Sequence, residues 1–208
     1  LEFRRVLFRS HFSLISTRKS EDFPGQSIIC DLSDEEDVSR IIEELIEIQN
    51  RFDSLVFFQR SRHHDEKREF LDEFNVSVSS IRAFLKNARL LMSNLGSKSV
   101  VVIGSTVTNL ISPHASDSYQ ISKAAQLQLV RYYSQELGPV GIRVNLVSPF
   151  TFLKPENFDF YINSNPWKNF VNTRIPLRRS CTALDVINSI EFLISDNAGM
   201  ITGRSEEH

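Results

Sequence analysis

The sequence predicts an α/β fold, a doubly wound, Rossmann-like parallel sheet with helices on both faces. Short apolar runs alternate along the chain with longer segments of helical periodicity. The run Ser99 to Gly104 (SVVVIG) is apolar at successive positions, which is typical of a strand buried on both faces. Strands that alternate with helices pair in parallel through right-handed crossovers, so these observations together favour a parallel sheet.

The individual elements follow from local patterns. Strand candidates are short, rich in β-branched or aromatic residues and bounded by turn residues: 11–16, 26–32, 53–58, 99–104 and 142–148. Helix candidates carry apolar residues three or four positions apart: 34–50, 69–92, 119–137 and 182–195. Ser33, with Glu36 three residues later, is the expected N-cap of the first helix. Residues 149–166 are expected to be irregular or partly helical.

Composition excludes several classes of function. The 208 residues, 41% apolar, are enough for the core of one domain. A net charge of -2 provides no basic field for nucleic acid or an anionic membrane surface. Cys30 and Cys181 are far apart, and His63 and His64 lie in a charged segment without ligand spacing, so neither a disulfide nor a metal is expected. The apolar runs are too short to span a bilayer. We expect a cytoplasmic protein with a small-molecule partner.

Both ends of the sequence look foreign to the fold. Residues 6–10 (VLFRS) can be encoded by GTGCTCTTCCGATCT, whose reverse complement, AGATCGGAAGAGCAC, encodes residues 204–208 (RSEEH). This relation indicates read-through of a sequencing adapter on both sides. We therefore expect 1–10 and 204–208 to be non-native, adapter-derived segments and 11–203 to be the natural, partial domain.

One short motif carries the functional interpretation. In SYQISKAA, Tyr119 precedes Lys123 by four residues, which places both side chains on one face of a helix. Such a pair also arises by chance, so its context decides its weight. A strand ending in VVVIGS precedes it, and GIRVNLVSP, IPLRR and FLISDNAGMITG follow in order.

This succession of motifs resembles the short-chain dehydrogenase/reductase family, and within it the 3-oxoacyl-carrier-protein-reductase-like branch. The resemblance covers residues 11–203. It implies a Rossmann-like domain whose first strand and glycine-rich turn are missing before His11, and whose last strand is missing after Gly203. Because the family's first strand lies at the centre of the sheet, we expect these 208 residues alone to bind a dinucleotide weakly or not at all.

The resemblance implies an NAD(P)-dependent oxidoreductase that interconverts a carbonyl and a secondary alcohol by hydride transfer. Tyr119 would be the acid/base, because the reacting oxygen must gain or lose a proton. Lys123 would favour the phenolate by its positive charge and reach the nicotinamide ribose. Ser105 would donate to the substrate oxygen. Ser77 stands where the family has a catalytic asparagine, with Asn75 on a different helix face.

Structural alternatives exist for each of these residues. Tyr119 could be a half-buried aromatic residue and Lys123 a surface cation. Ser105 could cap a turn, and Thr106 is a neighbouring candidate.

The expected cofactor residues lie at strand ends. Asp31 and Leu32 follow the second strand, where the family binds the adenine ring, although Asp31 could instead cap the next helix. Arg18 could bind a 2′-phosphate, which favours NADP over NAD, and a solvated arginine is the alternative. The other cofactor-binding candidates follow later strands or belong to the motif: Phe58, Gln59, Tyr119, Lys123, Pro149, Phe150 and Phe152.

Three departures from the family pattern suggest a second function. Phe57-Phe58-Gln59-Arg60 replaces Asn-Asn-Ala-Gly, Ser77 replaces the asparagine, and Phe150 replaces a glycine. A non-catalytic binding or assembly subunit of the same fold, or an inactive fragment, is therefore the alternative.

The resemblance also indicates which faces would serve self-association and substrate binding. Family members pair through the two long helices, so a homodimer or homotetramer is expected for the full-length protein. Tyr132 and Tyr133 suit such a contact or the core equally. Aromatic residues between Pro149 and Pro176 suggest an apolar cap over the substrate.

Overall fold

The computed structural model of the protein describes residues 13–17, 25–48, 51–61, 68–94, 96–113, 115–150, 152–153 and 158–207. Within these residues every pair of neighbouring strands is parallel, and helices cover both faces, so the predicted α/β class is confirmed. The strands are β1 (Ser13–Ser16), β2 (Gln26–Ile29), β3 (Ser54–Phe57), β4 (Lys98–Ile103), β5 (Ile142–Ser148), β6 (Phe152–Leu153), β7 (Cys181–Thr182) and β8 (Ser205–Glu207).

The strands form one four-stranded sheet and two parallel pairs. The sheet has the order β3-β4-β5-β8, while β1 pairs with β2 and β6 pairs with β7. The β1-β2 pair shares a core with the sheet, because Ile15 and Ile28 pack against the same cluster as Phe57 and Val100. The four-stranded sheet therefore brings the carboxyl ends of β3, β4 and β5 to one edge, where open parallel sheets bind ligands.

The edge of the sheet beside β5 is occupied by residues that we expected to be adapter-derived, and not by a natural last strand. Ser205–Glu207 form a short strand parallel to β5, with Ser205 opposite Leu146. The backbone N–H of Leu146 donates to the carbonyl of Arg204 over 2.9 Å, and the hydroxyls of Ser148 and Ser205 lie 3.0 Å apart. The open edge of β5 offers unpaired N–H and C=O groups, which pair with any extended segment beside it.

The helices are α1 (Glu35–Glu47), α2 (Glu69–Phe74), α3 (Ser80–Lys86), α4 (Ala88–Leu91), α5 (Asp117–Leu137), α6 (Phe158–Asn163), α7 (Asn165–Arg174) and α8 (Ala183–Ile194). No helix of these residues is long and apolar enough to cross a bilayer.

The continuous helix predicted over 69–92 is interrupted. A π-helical turn, Asn75–Ser79, separates α2 from α3. Serine hydroxyls bind back to the preceding turn here: Ser77 Oγ donates to Glu73 Oε1 over 2.6 Å and Ser80 Oγ to the carbonyl of Val76 over 2.6 Å. The spacing of apolar residues in the sequence does not reveal a π-helical turn. Such turns are frequent at functional sites.

The N-cap of α1 is Asp34, so the predicted Ser33 cap was wrong. Asp34 Oδ1 accepts from the backbone N–H of Glu36 over 2.9 Å. Ser33 is used differently, because its backbone N–H and hydroxyl both donate to Asp31 Oδ1, over 2.9 and 2.7 Å. The Asp31 carboxylate closes a turn that moves the helix start by one residue.

Two apolar layers enclose the central strand β4. Val100 and Val102 face the layer beneath α1, α3 and α5, whereas Val101 faces the layer beneath α8. All three are at most 1% exposed, as predicted for a strand buried on both faces. This strand therefore anchors the site residues that follow it.

The R-V-N and I-T-G motifs have a structural role in this fold. The guanidinium of buried Arg143 donates to the carbonyls of Leu193 and Ser195 over 2.6 and 3.1 Å. Asn145 Nδ2 donates to the carbonyl of Ile201 over 2.8 Å, and Thr202 Oγ1 accepts from the backbone N–H of Val144 over 3.0 Å. These bonds fix the chain after α8 against β5.

The buried face of α1 offers a test of the core. Leu45 is 2% exposed and Ile48, one turn later, is 64% exposed. We expect Leu45→Ala to lower the free energy of unfolding by about 2–5 kcal/mol, because it leaves a cavity. The matched variant Ile48→Ala should change it by less than about 0.5 kcal/mol. Urea unfolding of both variants checks this, and equal effects would contradict the assigned packing.

Candidate active site

Tyr119 and Lys123 lie in the first two turns of α5. The hydroxyl of Ser116, the N-cap, accepts from the backbone N–H of Tyr119 over 3.4 Å. Lys123 Nζ lies 5.6 Å from the centroid of the Tyr119 ring. Tyr119 is half-buried, whereas Lys123 is only 4% exposed. The structure therefore brings this pair together on one helix face, and Lys123 is a buried cation rather than a surface one.

Two carbonyl oxygens hold the Lys123 ammonium. Nζ donates to the backbone carbonyl of Ile103, at the end of β4, over 2.9 Å and to Gln126 Oε1 over 3.0 Å. Burial lowers the pKa of Lys123 from its ordinary value of 10.5 to about 8. The carboxylate of Glu73 opposes this lowering of the pKa, and the guanidinium of Arg60 adds to it. At neutral pH the ammonium is still largely protonated.

Gln126 joins Lys123 to the π-helical turn. Its Nε2 donates to the backbone carbonyl of Ser77 over 2.7 Å, and the hydroxyl of Ser77 is bound to Glu73. Gln126, Ser77 and Glu73 are 1%, 0% and 5% exposed. Ser77 is thus connected to Lys123 through its carbonyl and not through its hydroxyl.

Sequence reasoning missed Gln126 and Glu73. Gln126 lies seven residues after Tyr119 and three after Lys123, so helical periodicity places it on the same face. This spacing was the sequence signal that could have identified Gln126. A glutamine on a buried face is a sign of a polar network, because an amide without partners is costly to bury.

The N-terminus of α5 is fixed from two sides. Ser118, buried, donates its hydroxyl to Glu69 Oε1 of α2 over 2.8 Å. The side chain of Gln120 accepts from the backbone N–H of Ser112 over 2.9 Å and donates to the carbonyl of Ala115 over 3.0 Å. The backbone around Tyr119 is therefore held against both α2 and the preceding loop.

Ser105 lies at the carboxyl end of β4, two residues after the carbonyl that holds Lys123. Its oxygen accepts from the backbone N–H of Val107 over 3.4 Å and caps the 3₁₀ turn Thr106–Thr108. The hydroxyl hydrogen remains available to donate. Gly104 allows this close packing, because a Cβ there would lie 2.6 Å from Leu146 Cδ2.

Of residues 57–60 at the end of β3, the first packs in the core and the last lies beside Tyr119. Phe57 is buried and its ring lies 5.8 Å from that of Phe84. Phe58 is 49% exposed, and Gln59 Nε2 donates to Ser80 Oγ over 3.2 Å. Arg60 is exposed, with its Cζ 4.7 Å from the centroid of the Tyr119 ring. Sequence reasoning treated Arg60 only as a departure from the family and missed this contact.

Phe150 packs into an aromatic cap. Its ring stacks on those of Trp167 and Phe170 of α7, with centroid distances of 6.0 and 5.6 Å. Pro149, just before it, accepts from the backbone N–H of Thr106 over 3.4 Å. A partly open cavity of about 210 Å³ lies beside the cap, lined by Tyr161, Trp167, Lys168 and Arg178 among others, but by none of the candidate catalytic residues.

The remaining cofactor candidates lie near β2 and the cap. Asp31 is exposed and its Oδ1 is bound to Ser33, while Leu32 packs partly buried against the core. Arg18, His63, His64 and the side chain of Phe152 lie outside the described residues.

The residues at this edge of the sheet fit the nicotinamide end of a dinucleotide. A phenol lies beside a buried ammonium that is bound to the last residue of β4, and a serine hydroxyl follows that strand two residues later; these groups suit ribose hydroxyls and a reacting oxygen. Among the described residues no glycine-rich turn opens a helix, so none is assigned to the pyrophosphate.

Comparisons of the whole chain with known proteins bear on its family and fold. A sequence model of the family described as Enoyl-(Acyl carrier protein) reductase matches residues 14–206. The vibriobactin-specific 2,3-dihydro-2,3-dihydroxybenzoate dehydrogenase of Vibrio cholerae is 30% identical over 185 residues, 83% of this chain and 70% of that protein. Glucose 1-dehydrogenase of Gluconobacter oxydans is 28% identical over 180 residues, 84% of this chain and 67% of that protein.

A solved structure supports the fold independently. The structure of 4-hydroxyisoleucine dehydrogenase complexed with NADH superposes with a TM-score of 0.81 at 23% identity, covering 95% of this chain and 86% of the other. The chain belongs to the short-chain dehydrogenase/reductase family. The relatives named above are dehydrogenases, which supports an oxidoreductase with a nicotinamide cofactor. Assignment to the 3-oxoacyl-carrier-protein-reductase-like branch stays a prediction.

Removing Gln126 should weaken the fold. We expect Gln126→Leu to lower the free energy of unfolding by about 1–3 kcal/mol, because the Ser77 carbonyl and the Lys123 ammonium each lose one buried hydrogen bond, although Lys123 keeps its bond to Ile103. Gln128→Leu, at an exposed position of the same helix, is the matched control. Chemical unfolding at neutral pH measures both, and a Gln126→Leu variant as stable as the control would argue against the network.

The buried ammonium should also give the stability a characteristic pH dependence. Because the pKa of Lys123 is about 8 in the folded chain and 10.5 in the unfolded chain, the unfolded state binds more protons between these values. The stability of the protein relative to Lys123→Met should therefore rise by about 3 kcal/mol from pH 8 to 10.5. Denaturation at a series of pH values tests this, with the exposed Lys86→Met as charge control. A flat difference would mean that the pKa of Lys123 is not lowered.

Proposed function

We propose that the protein is an NAD(P)-dependent oxidoreductase that interconverts a carbonyl and a secondary alcohol, with Tyr119 as the acid/base. The observation that carries this proposal is the buried Lys123 ammonium, 5.6 Å from the Tyr119 ring at the carboxyl edge of a parallel sheet. Burial of a cation is costly, and a fold that maintains one beside a phenol is suited to proton transfer at that phenol.

Each residue has a separate part in the reaction. The nicotinamide, when bound, supplies or accepts the hydride. Tyr119 donates its phenolic proton to the substrate oxygen during reduction and takes it back during oxidation. Lys123, held by Ile103 and Gln126, keeps a positive charge beside the phenolate that remains. Because Lys123 is only 4% exposed, water screens its charge little, which strengthens this stabilisation.

Ser105 and the π-helical turn complete the site. Ser105 would donate its hydroxyl hydrogen to the substrate oxygen and orient it for transfer. Ser77 acts as a positioning residue, because its carbonyl fixes Gln126 and Gln126 fixes Lys123. The Ser77 hydroxyl, which donates to Glu73, is not needed for this positioning role.

We extend the proposal to the cofactor and to assembly. NADP is preferred over NAD on the basis of Arg18, whose guanidinium suits a 2′-phosphate. Asp31, Leu32, Phe58, Gln59, Pro149, Phe150 and Phe152 are the further cofactor-binding candidates. Exposed Tyr132, packed edge-to-face on buried Tyr133 at 5.2 Å, supports a homodimer or homotetramer through α5.

The acid/base assignment is tested with the complete natural protein, NADPH and a panel of small ketones. We expect Tyr119→Phe to lower kcat about 10²–10⁴-fold, since the positioned proton donor is lost while the ring remains. Tyr132→Phe, an exposed tyrosine of the same helix, should leave kcat unchanged. Turnover that survives Tyr119→Phe would eliminate the assignment. Binding of NADPH without turnover of any ketone by the wild type would favour the non-catalytic alternative.

A further inference from the structure

Arg60 places a second cation beside Tyr119. It follows β3 and is exposed, and its Cζ lies 4.7 Å from the centroid of the Tyr119 ring. It forms no salt bridge with any other described residue. A cation–π contact of this kind uses none of the five N–H donors of the guanidinium. Arg60 therefore retains the donors that would bind an anion.

The acidic side chains of the neighbouring helix do not neutralise Arg60. Glu69 Oε1 accepts from Ser118 Oγ over 2.8 Å, and Glu73 Oε1 accepts from Ser77 Oγ over 2.6 Å. Neither is bonded to Arg60. Among the residues that the structure describes, the other cation close to the phenol is the Lys123 ammonium, whose pKa Arg60 helps to lower through repulsion. A negatively charged ligand group near both cations would relieve that repulsion.

We propose that Arg60 binds a carboxylate of the substrate, so that the site takes hydroxy acids and the corresponding oxo acids. This inference rests on the proposed function, because it assigns the substrate of the same site. The planar fork of a guanidinium matches the two oxygens of a carboxylate and binds them with charge-assisted hydrogen bonds.

The position of Arg60 favours a substrate carboxylate over a cofactor phosphate. The phosphates of a dinucleotide bind at a helix N-terminus after a strand. Arg60 instead contacts the face of the phenol that would exchange a proton with the substrate oxygen. A carboxylate bound there would lie close to the reacting carbon and would fix the orientation of a small substrate.

The first test compares acids with their neutral esters. With the complete natural protein and NADPH, kcat/KM is measured for 3-oxo acids and for their methyl esters. We expect the wild type to favour each acid, and Arg60→Gln to lower the acid-to-ester ratio about 10–100-fold, mainly through the KM of the acid. Arg60→Lys should retain part of the preference. Arg82→Gln, an exposed arginine on α3, is the control and should leave the ratio unchanged.

The second test measures binding without turnover. Tyr119→Phe retains the ring on which Arg60 lies, so calorimetry on this variant with 3-hydroxybutyrate reports the anion site directly. We expect binding in Tyr119→Phe and a loss of at least about 10-fold in affinity when Arg60→Gln is added. This readout does not need catalysis. Binding that depends on Arg60 therefore supports the inference even if the wild type turns over no substrate, a result that would overturn only the proposed function.

Two results would overturn the inference. One is an equal effect of Arg60→Gln on acids and esters, with unchanged binding of 3-hydroxybutyrate. The other is a loss confined to the affinity for NADPH, which would mean that Arg60 binds a cofactor phosphate. Equal urea midpoints for Arg60→Gln and the wild type establish that the exposed substitution leaves the fold intact.

Discussion

The site depends on keeping the Lys123 ammonium charged in a buried position. A cation removed from water is stable only when oxygen acceptors replace the lost hydration. Here β4 contributes the carbonyl of Ile103, α5 contributes the amide of Gln126, and α2 contributes the nearby charge of Glu73. Three elements distant in sequence must therefore pack correctly before the Lys123 ammonium lies beside the phenol of Tyr119. The integrity of the site and the integrity of the core are coupled for this reason.

The irregular backbone at Asn75–Ser79 contributes to the same arrangement. Within this π-helical turn the carbonyl of Ser77 accepts from the side chain of Gln126 over 2.7 Å, which joins the turn to α5. The hydroxyls of Ser77 and Ser80 stabilise the turn by bonding to the preceding residues. Ser77, which we expect at the position of the family's asparagine, is linked to Lys123 through its backbone carbonyl and Gln126, while its hydroxyl donates to Glu73.

The departures from the family pattern have different physical meanings. Phe57 packs in the core, and Phe150 stacks within the aromatic cap, so both act through packing. Arg60 differs, because it adds a charge at the ring of Tyr119. One exposed residue of this kind can change which ligand a family member prefers while the catalytic residues stay the same, because the rigid sheet holds that residue in place.

The sequence by itself determined the α/β class, the burial of β4 on both faces, and the shared helix face of Tyr119 and Lys123. These features follow from local periodicity, which is a property of consecutive residues. Tertiary structure alone decided that a π-helical turn linked to α5 interrupts the long helix and that β8 occupies the edge of β5. It also decided that Gln126 reaches Ser77, 49 positions away, and that Arg60 lies over Tyr119. These contacts join distant segments, so they are set by how whole elements pack and not by the pattern within any one of them.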